Sequence, residues 1–539
     1  MNLRPYFARA GAAVPALLLA LAVAAGGLRS QPEWLVFGGA FLLWEVFRRR
    51  GTSAAGLEAA LLFFAWLGAA ALFSAEPAVS LVFFARYAVL GLLFFSAASS
   101  EDGAGAWLGA VYAVGGAAAA VFLLQRAAGL YAAGLIGGNP NYSAVFCAAA
   151  FAPALLGLSD PQGRRRPALA ALCLLLAAGI AVSGSRGAAA AGFLAGAAGL
   201  AAARRWRWLA AFSLAAAAGL AFLPAAAWSG LLKLGDPRAF ARPLLWGSAL
   251  RAAAASPLLG WGPGLFGKVF ELFKFPYFDG IAYYGHSTLH AHGELFNLAA
   301  EAGFPAAAFF ALAAAQALAS GGIKKLPLKL CALAALLQGS ADMIFYSGAV
   351  SLLFWGSLGY GAAGRAGVPA GRKLRAALAA CCFALLALPA LLPFADGRAA
   401  FASAGYREAS AGRSPVLALA LLRSAELDAP KDPFIAEAEG RGLAASSDPA
   451  GAAAAFRRAL ELEPGFAGAR LGLAELYAGH GPDEEACAGL PVPYAGPAPK
   501  GRYQEALTVL DAARIEKLRK ELCKKRRTGG ATAPGRKTR

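Results

Sequence analysis

Three of the four histidines in this 539-residue chain, His286, His290 and His292, fall within seven residues, in GHSTLHAHGELFNLAAEAGFPA. An imidazole titrates near neutral pH and suits proton transfer to or from a hydroxyl. The same nitrogens could ligate a metal. No HExxH occurs, however, and carboxylates nearby are limited to Asp279, Glu294 and Glu301. The expectation is therefore acid–base chemistry with no metal and no cofactor, set against a plainer reading in which these polar residues only cap a helix starting near Glu294.

Arginines supply the second ingredient. Burying a guanidinium near lipid is costly, so an arginine at or inside an apolar run tends to face a cavity and an anion. Arg186 in SGSRG, Arg86 in an apolar run, and Arg242 and Arg251 in a long polar connection all fit that description. Guanidinium forks match phosphate oxygens in pairs. For Arg251 a side chain snorkelling at the surface explains as much.

These residues need a scaffold, and the composition names its class. Hydrophobic residues make up 59% of the chain and charged ones 15%, with a net charge of +19. That is membrane-protein composition. The positive charge sits in short clusters between apolar runs and in the last twenty residues, which is a topology signal and argues against a nucleic-acid partner. Spans of about 20 residues are expected near 11–29, 33–47, 54–74, 78–98, 104–124, 142–158, 167–183, 187–203, 206–228, 293–319, 327–346, 349–364 and 374–394. The first could pass for a signal peptide but reads as a retained helix. The fold class is all-α, a polytopic bundle of about 12–13 spans over residues 1–394.

The basic clusters at Arg4 and Arg9, Arg48 to Arg50, Arg164 to Arg166, Arg204 to Arg207, Lys324 and Lys325, and Arg365 to Arg375 alternate with loops poor in Lys and Arg. Basic loops face the cytoplasm. The amino terminus is thus expected inside, and the connection at about 228–292 and everything after Pro393 outside. Cys147, Cys173, Cys331, Cys381 and Cys382 lie in apolar runs and read as packing residues, whereas Cys487 and Cys523 fall in the exported part, where pairing is feasible. The aromatic residues of the long connection, among them Trp261, Phe270, Tyr283 and Tyr284, read first as interfacial anchors.

Residues 395–516 change character. LALALLRSAELDAP and AAAAFRRALELEP are amphipathic, and Pro430 and Pro464 end them 34 residues apart, the period of a tetratricopeptide repeat. Phe456, Ala459, Leu460, Pro464, Leu473, Ala474 and Tyr477 resemble that repeat's consensus, with a weaker unit around Tyr503 to Ile515. Such repeats bind a protein partner or position an enzyme. Residues 517–539 are basic and read as a disordered tail.

Four segments together resemble the O-antigen ligase and polymerase superfamily, integral-membrane glycosyltransferases. They are GGNPNYSA at 137–144, SGSRG at 183–187, RPLLWGSALRAAAASPLLGWGPGLF from Arg242, and HAHGELFNLAAEAGFPA from His290. His292, the position of Gly293, nine residues from Glu294 to Ala302, and then Gly303 match the spacing of the family's histidine-to-glycine signature. Gly293 departs from it where a polar residue is usual, and so does Ala306 where the last glycine is. The resemblance implies a GT-C-like fold in the bacterial cytoplasmic membrane. It implies an undecaprenyl-diphosphate-linked glycan as donor, and a lipid, glycan or protein as acceptor. His292 would be the catalytic base, Arg186 and Arg242 would grip the diphosphate, and Arg86 would be a third contact. His290, Glu301, Asn141, Gly303 and Asp342 are supporting candidates, with Glu301 expected to meet an arginine. A polymerase and a protein O-oligosaccharyltransferase share these features. Outside the class, a polysaccharide or lipid transporter and an inactive scaffold remain open.

Overall fold

A computed structural model describes residues 4–48, 57–163, 165–222, 241–277, 283–364, 371–391, 415–480, 483–492 and 512–523, together with residues 228, 494, 507 and 508. Parts of the expected long connection (229–240 and 278–282), the start of the tail (395–414), most of the weak third repeat and the basic residues 524–539 lie outside these. The described elements are helical. The chain divides into two compact units, one of residues 1–266 and 290–396, the other of residues 267–289 and 397–539.

The first unit contains α1 (Arg4–Ala24), α2 (Gln31–Phe47), α3 (Glu58–Leu72), α4 (Pro77–Ala98), α5 (Ala104–Ala127), α6 (Asn141–Leu158), α7 (Arg166–Ser183), α8 (Arg186–Ala202) and α9 (Trp206–Ala221). Next come α10 (Arg242–Ala255) and α11 (Phe266–Phe273), which leads into the second unit. After α11, α12 (Glu294–Ala319), α13 (Leu326–Gly339), α14 (Gly348–Ala362) and α15 (Arg372–Leu391) complete the first unit. A helix stands at each expected span. Six of them, α4, α5, α6, α7, α12 and α15, have at least 18 residues and are apolar enough to cross a membrane. Four shorter apolar helices, over Ala12–Ala24 and in α3, α8 and α9, accompany them. The centre is α14, buried on every face. Its Gly356 and Gly359 admit the Trp107 ring and the Phe94 carbonyl at distances no side chain would allow.

The helices alternate in direction, so their connections gather at two ends. At one end Gly27 lies against Ile136 and Ser347, and Ser347 Oγ donates to Gly27 O (2.9 Å). At the other, Arg205 meets Asp160 (3.7 Å) and Lys325 meets Glu101 (2.8 Å). There too the fully buried Glu45 accepts Ser96 Oγ (2.5 Å) and pairs with Arg48 (2.9 Å) and Arg375 (3.6 Å). A buried carboxylate persists only when its charge is met in this way. The basic clusters Arg48, Arg205, Lys325 and Arg375 therefore share one end of the bundle.

The long connection is less open than its sequence implies, because α10 and the segment after it plug a break in α12. Gly303 has φ +81° and ψ 169°, a conformation essentially restricted to glycine. Pro305 follows and can offer no N–H to the Glu301 carbonyl. The interrupted ladder is completed from residues 257–262. Trp261 N–H donates to Ala300 O (3.2 Å) and Gly262 N–H to Glu301 O (2.7 Å), while Phe304 N–H donates to Pro257 O (2.9 Å). Trp66 Nε1–H reaches Ala302 O (3.1 Å). The backbones are close enough that a Cβ on Gly303 would stand 2.0 Å from Leu258 O, and one on Gly260 would stand 2.4 Å from Ala302 N.

In the second unit, residues 267–289 accompany α16 (Pro415–Asp428), α17 (Pro433–Ala445), α18 (Pro449–Leu462), α19 (Ala467–His480), α20 (Asp483–Gly489) and α21 (Ala512–Leu522). The starts of α16 and α18, and of α17 and α19, are each 34 residues apart. Phe456 is the core of this unit, fitted between Gly440 and Gly472, where an added Cβ would fall 2.8 and 2.5 Å from the ring. Cys487 and Cys523 form a disulfide.

Gly303→Ala would collide with a carbonyl that belongs to another backbone, and would also force alanine to a positive φ. We expect a loss of more than about 3 kcal/mol, read as a marked fall in the unfolding temperature of the detergent-purified protein. An unchanged transition would remove the glycine from this role.

Candidate functional site

Asp342 is the point on which the expected site residues converge. It follows α13 and is 3% exposed. Met343 N–H donates to its Oδ1 (2.8 Å), and Asn141 Nδ2 donates to its Oδ2. Arg242 Nη2 stands 3.7 Å from Oδ2, and His292 Nδ1 stands 4.0 Å from Oδ1. Gln338 Nε2 donates to Asn141 O (3.2 Å), tying the α6 start to the α13 end. A Cβ on Gly187 would lie 3.1 Å from Gln338 and 3.8 Å from Asp342 Oδ2, so the first turn of α8, which begins with Arg186 just before Gly187, borders the same carboxylate.

Local sequence explains why these groups arrive from so many directions. Asn141, Arg186 and Arg242 are the first residues of α6, α8 and α10. Helix starts carry unpaired N–H groups and a partial positive charge. Ser185 caps α8, its side chain accepting from Ala188 N–H (3.2 Å), and Pro243 prearranges the first turn of α10. Guanidinium groups at such starts favour an anion twice over.

His292 has φ +55°, uncommon for a side-chain-bearing residue though less so for histidine. Its carbonyl is held by Trp246 Nε1–H (3.1 Å), and Trp246 stacks on Phe296 with centroids 5.1 Å apart. This stack accounts for Gly293. A Cβ there would meet Phe296, Ser340 O and Trp246 Nε1 at 3.0 to 3.1 Å, so the glycine leaves room for an indole that grips the histidine backbone. His292 Nδ1 is buried with no hydrogen-bond partner among the described residues, facing Asp342 across the 4.0 Å gap. Burial lowers its pKa, the Asp342 charge acts to raise it and Arg242 to lower it. The result favours a neutral ring, the form that can accept a proton.

His290 packs edge-on against Tyr346, with centroids 4.4 Å apart. Asn297 hydrogen-bonds its ring and accepts Ala291 N–H (3.2 Å). Burial, with His292 alongside, brings the His290 pKa to about 3 in spite of that bond. The third histidine belongs to the other unit, where the His286 ring lies 5.8 Å from Phe270 and 5.0 Å from Phe275. No three His, Cys, Asp or Glu side chains form a metal-ligand group among the described residues.

Three further candidates have these neighbours. Arg86 is held by Gln31 Oε1 (Nε at 3.1 Å) and lies over the Phe83 ring (4.3 Å). Glu301, expected to meet an arginine, accepts Phe266 N–H (3.0 Å) and so anchors the plug of α12. Arg251 bonds Ser248 Oγ (3.0 Å) within its own helix. Reasoning from sequence missed Trp246, Asn297, Tyr346 and Arg29. Arg29 Nε donates to Gly26 O (3.0 Å), and its guanidinium lies 5.8 Å from the Tyr142 ring. The argument used for Arg186, a basic residue at a helix end where topology gives it no reason to be, would have found it.

Among comparisons with known proteins, the family model described as O-antigen ligase matches residues 171–311. That stretch contains Arg186, Arg242, His290, His292, Glu301 and Gly303. It leaves out Asn141, Asp342 and the tail. No curated protein matches the chain.

His290 supplies a pH test. A histidine whose folded pKa lies below its unfolded value, near 6.5, leaves stability intact above that value and removes it as the unfolded state takes up the proton. Stability should therefore decline as pH falls from about 6.5 towards 3. His290→Gln should flatten that part of the unfolding-temperature profile, and an identical slope in both proteins would refute the assignment.

Proposed function

We propose that this chain is a membrane glycosyltransferase that moves a glycan from undecaprenyl diphosphate to an acceptor outside the cytoplasm. The observation that carries the reading is the convergence of His292 and Arg242 on buried Asp342. The match to O-antigen ligase over the stretch that holds both residues supports it.

In this mechanism the acceptor hydroxyl gives its proton to the outer nitrogen of His292 as its oxygen attacks the anomeric carbon of the donor sugar. The bond from that carbon to the diphosphate oxygen breaks with inversion, and undecaprenyl diphosphate leaves with the electron pair. Asp342 would orient the imidazole and stabilise the imidazolium, as a carboxylate does beside a general-base histidine. Arg242 and Arg186, at helix starts, would neutralise the leaving diphosphate. Without the incoming ligand, catalytic hydrogen bonds are commonly long, which agrees with the 4.0 Å gap between His292 and Asp342.

The thirteen helices that stand at the expected spans would cross the cytoplasmic membrane of a bacterium, with the amino terminus inside. The sharing of one bundle end by Arg48, Arg205, Lys325 and Arg375 supports this. The Cys487–Cys523 disulfide supports an oxidising compartment for the tail. Helix starts recurring every 34 residues favour tetratricopeptide-like repeats there.

His292→Ala should lower transfer at least about 100-fold while the protein stays folded and inserted. Purified protein with a labelled lipid-linked donor and, separately, lipid, glycan or protein acceptors measures this and identifies the acceptor. Full transfer by the variant would eliminate the base. Arg242→Lys keeps the charge but loses the fork, and about a tenfold drop is expected. Single cysteines at 186 and 292 should react with an impermeant reagent from the periplasmic side, and labelling only from the cytosol would overturn the topology.

A further inference from the structure

One face of α10 reaches both Asp342 and the backbone of His292. Arg242 and Trp246 are four residues apart on that helix, so their side chains lie one above the other. Arg242 Nη2 stands 3.7 Å from Asp342 Oδ2, and Trp246 Nε1–H donates to the His292 carbonyl (3.1 Å). The indole is itself steadied by lying nearly flat on Phe296 in the first turn of α12, the two rings inclined by 13°. Its bond falls on a residue whose backbone is left-handed, with φ +55°. A side chain resists that conformation, and the net worth of one hydrogen bond is of comparable size, so the indole is able to decide whether His292 keeps it. The neighbouring bonds lie to either side: Ala291 N–H donates to Asn297 Oδ1 (3.2 Å), and Asn297 N–H donates to Gly293 O (3.0 Å). They fasten the flanking residues to α12 and leave the His292 carbonyl to Trp246.

We infer that Trp246 is a positioning residue for the base: it holds His292 in the left-handed conformation that points its imidazole at Asp342, one helical turn from the arginine on the same carboxylate. The inference rests on the reading of His292 as the base. It makes α10 a ruler, since one turn rises about 5.4 Å and neither Arg242 nor Trp246 can shift along the bundle without the other. Gly293 serves the same end, because a Cβ there would stand 3.1 Å from the indole nitrogen. The consequence is electrostatic as well as geometric. Asp342 after α13, Arg242 on α10 and His290 in the same turn are the charged or titratable groups that act with the ring. Burial is the largest influence on the His292 pKa and lowers it. A ring turned out to water should titrate closer to its ordinary value of about 6.5.

The test compares full-length wild type with Trp246→Phe and Trp246→benzothienylalanine in lipid nanodiscs. The first keeps an aromatic ring for Phe296, and the second keeps the indole's shape with sulfur in place of the N–H. In each, kcat should fall about tenfold with donor KM within about twofold. The acid limb of kcat/KM should move up by about half a pH unit or more, because the base must be neutral to act. Carbethoxylation of His292 by diethyl pyrocarbonate, followed by mass spectrometry across pH, should report the same rise without any transfer reaction. A tryptophan that merely stabilised the fold would lower the unfolding temperature and leave both pH profiles in place, and that result would overturn the inference. So would an unchanged kcat in either folded variant. Should the wild type transfer no glycan, the proposed reaction falls, while the carbethoxylation profile still decides the role of Trp246. If Trp246→Phe does not fold, the isosteric replacement alone decides it with the same outcomes.

Discussion

A carboxylate removed from water must have its charge met, and at Asp342 that requirement organises one end of the bundle. Its partners come from distant parts of the chain: Asn141 from the start of α6, Arg242 from the start of α10, and His292 from the turn before α12. Each arrives at a helix start, where backbone dipoles already favour negative charge. The arrangement is stable without a ligand because Asp342 supplies the anion. In the proposed function a ligand anion would compete with it, since Arg242 stands 3.7 Å from Asp342 and the neutral His292 ring 4.0 Å from it. An incoming diphosphate would offer Arg242 an alternative partner and leave Asp342 to His292.

The second constraint is backbone bookkeeping inside an apolar bundle. A helix that breaks among other helices exposes carbonyl and N–H groups that water cannot reach, and each must find a partner. The break at Gly303 and Pro305 is tolerated because residues 257–262 return the missing bonds almost one for one. That exchange fixes the segment after α10 against α12. Since Arg242 and Trp246 lie on α10 and His292 just before α12, the plug also sets the register between the arginine and the histidine. Glu301 belongs to this system through Phe266, which makes it part of the frame of the site.

The division of the long connection follows from different physics. Residues 267–289 contain lysines and a polar backbone that the apolar bundle could not satisfy, and the charged helical tail can. Glu463, Asp428 and Lys431 do so. His286 goes with them, into a nest of Phe270 and Phe275. Three histidines within seven residues thus acquire two different environments.

Helix positions, the basic end of the bundle and the 34-residue recurrence in the tail were legible in the sequence, because each depends on local composition or period. An apolar run long enough to bury itself becomes a helix whatever its neighbours do, and Arg186, Arg242 and His292 stand out because charge is scarce in such a chain. What only the tertiary structure decided is which charges meet. Asp342 and Arg242 are a hundred residues apart, and no period links them. Glu301 turned to a backbone N–H, Arg86 to Gln31, and Gly293 gave its space to Trp246. Those outcomes depend on distances between helices of a few ångströms, which the pattern of residue types along one helix does not encode.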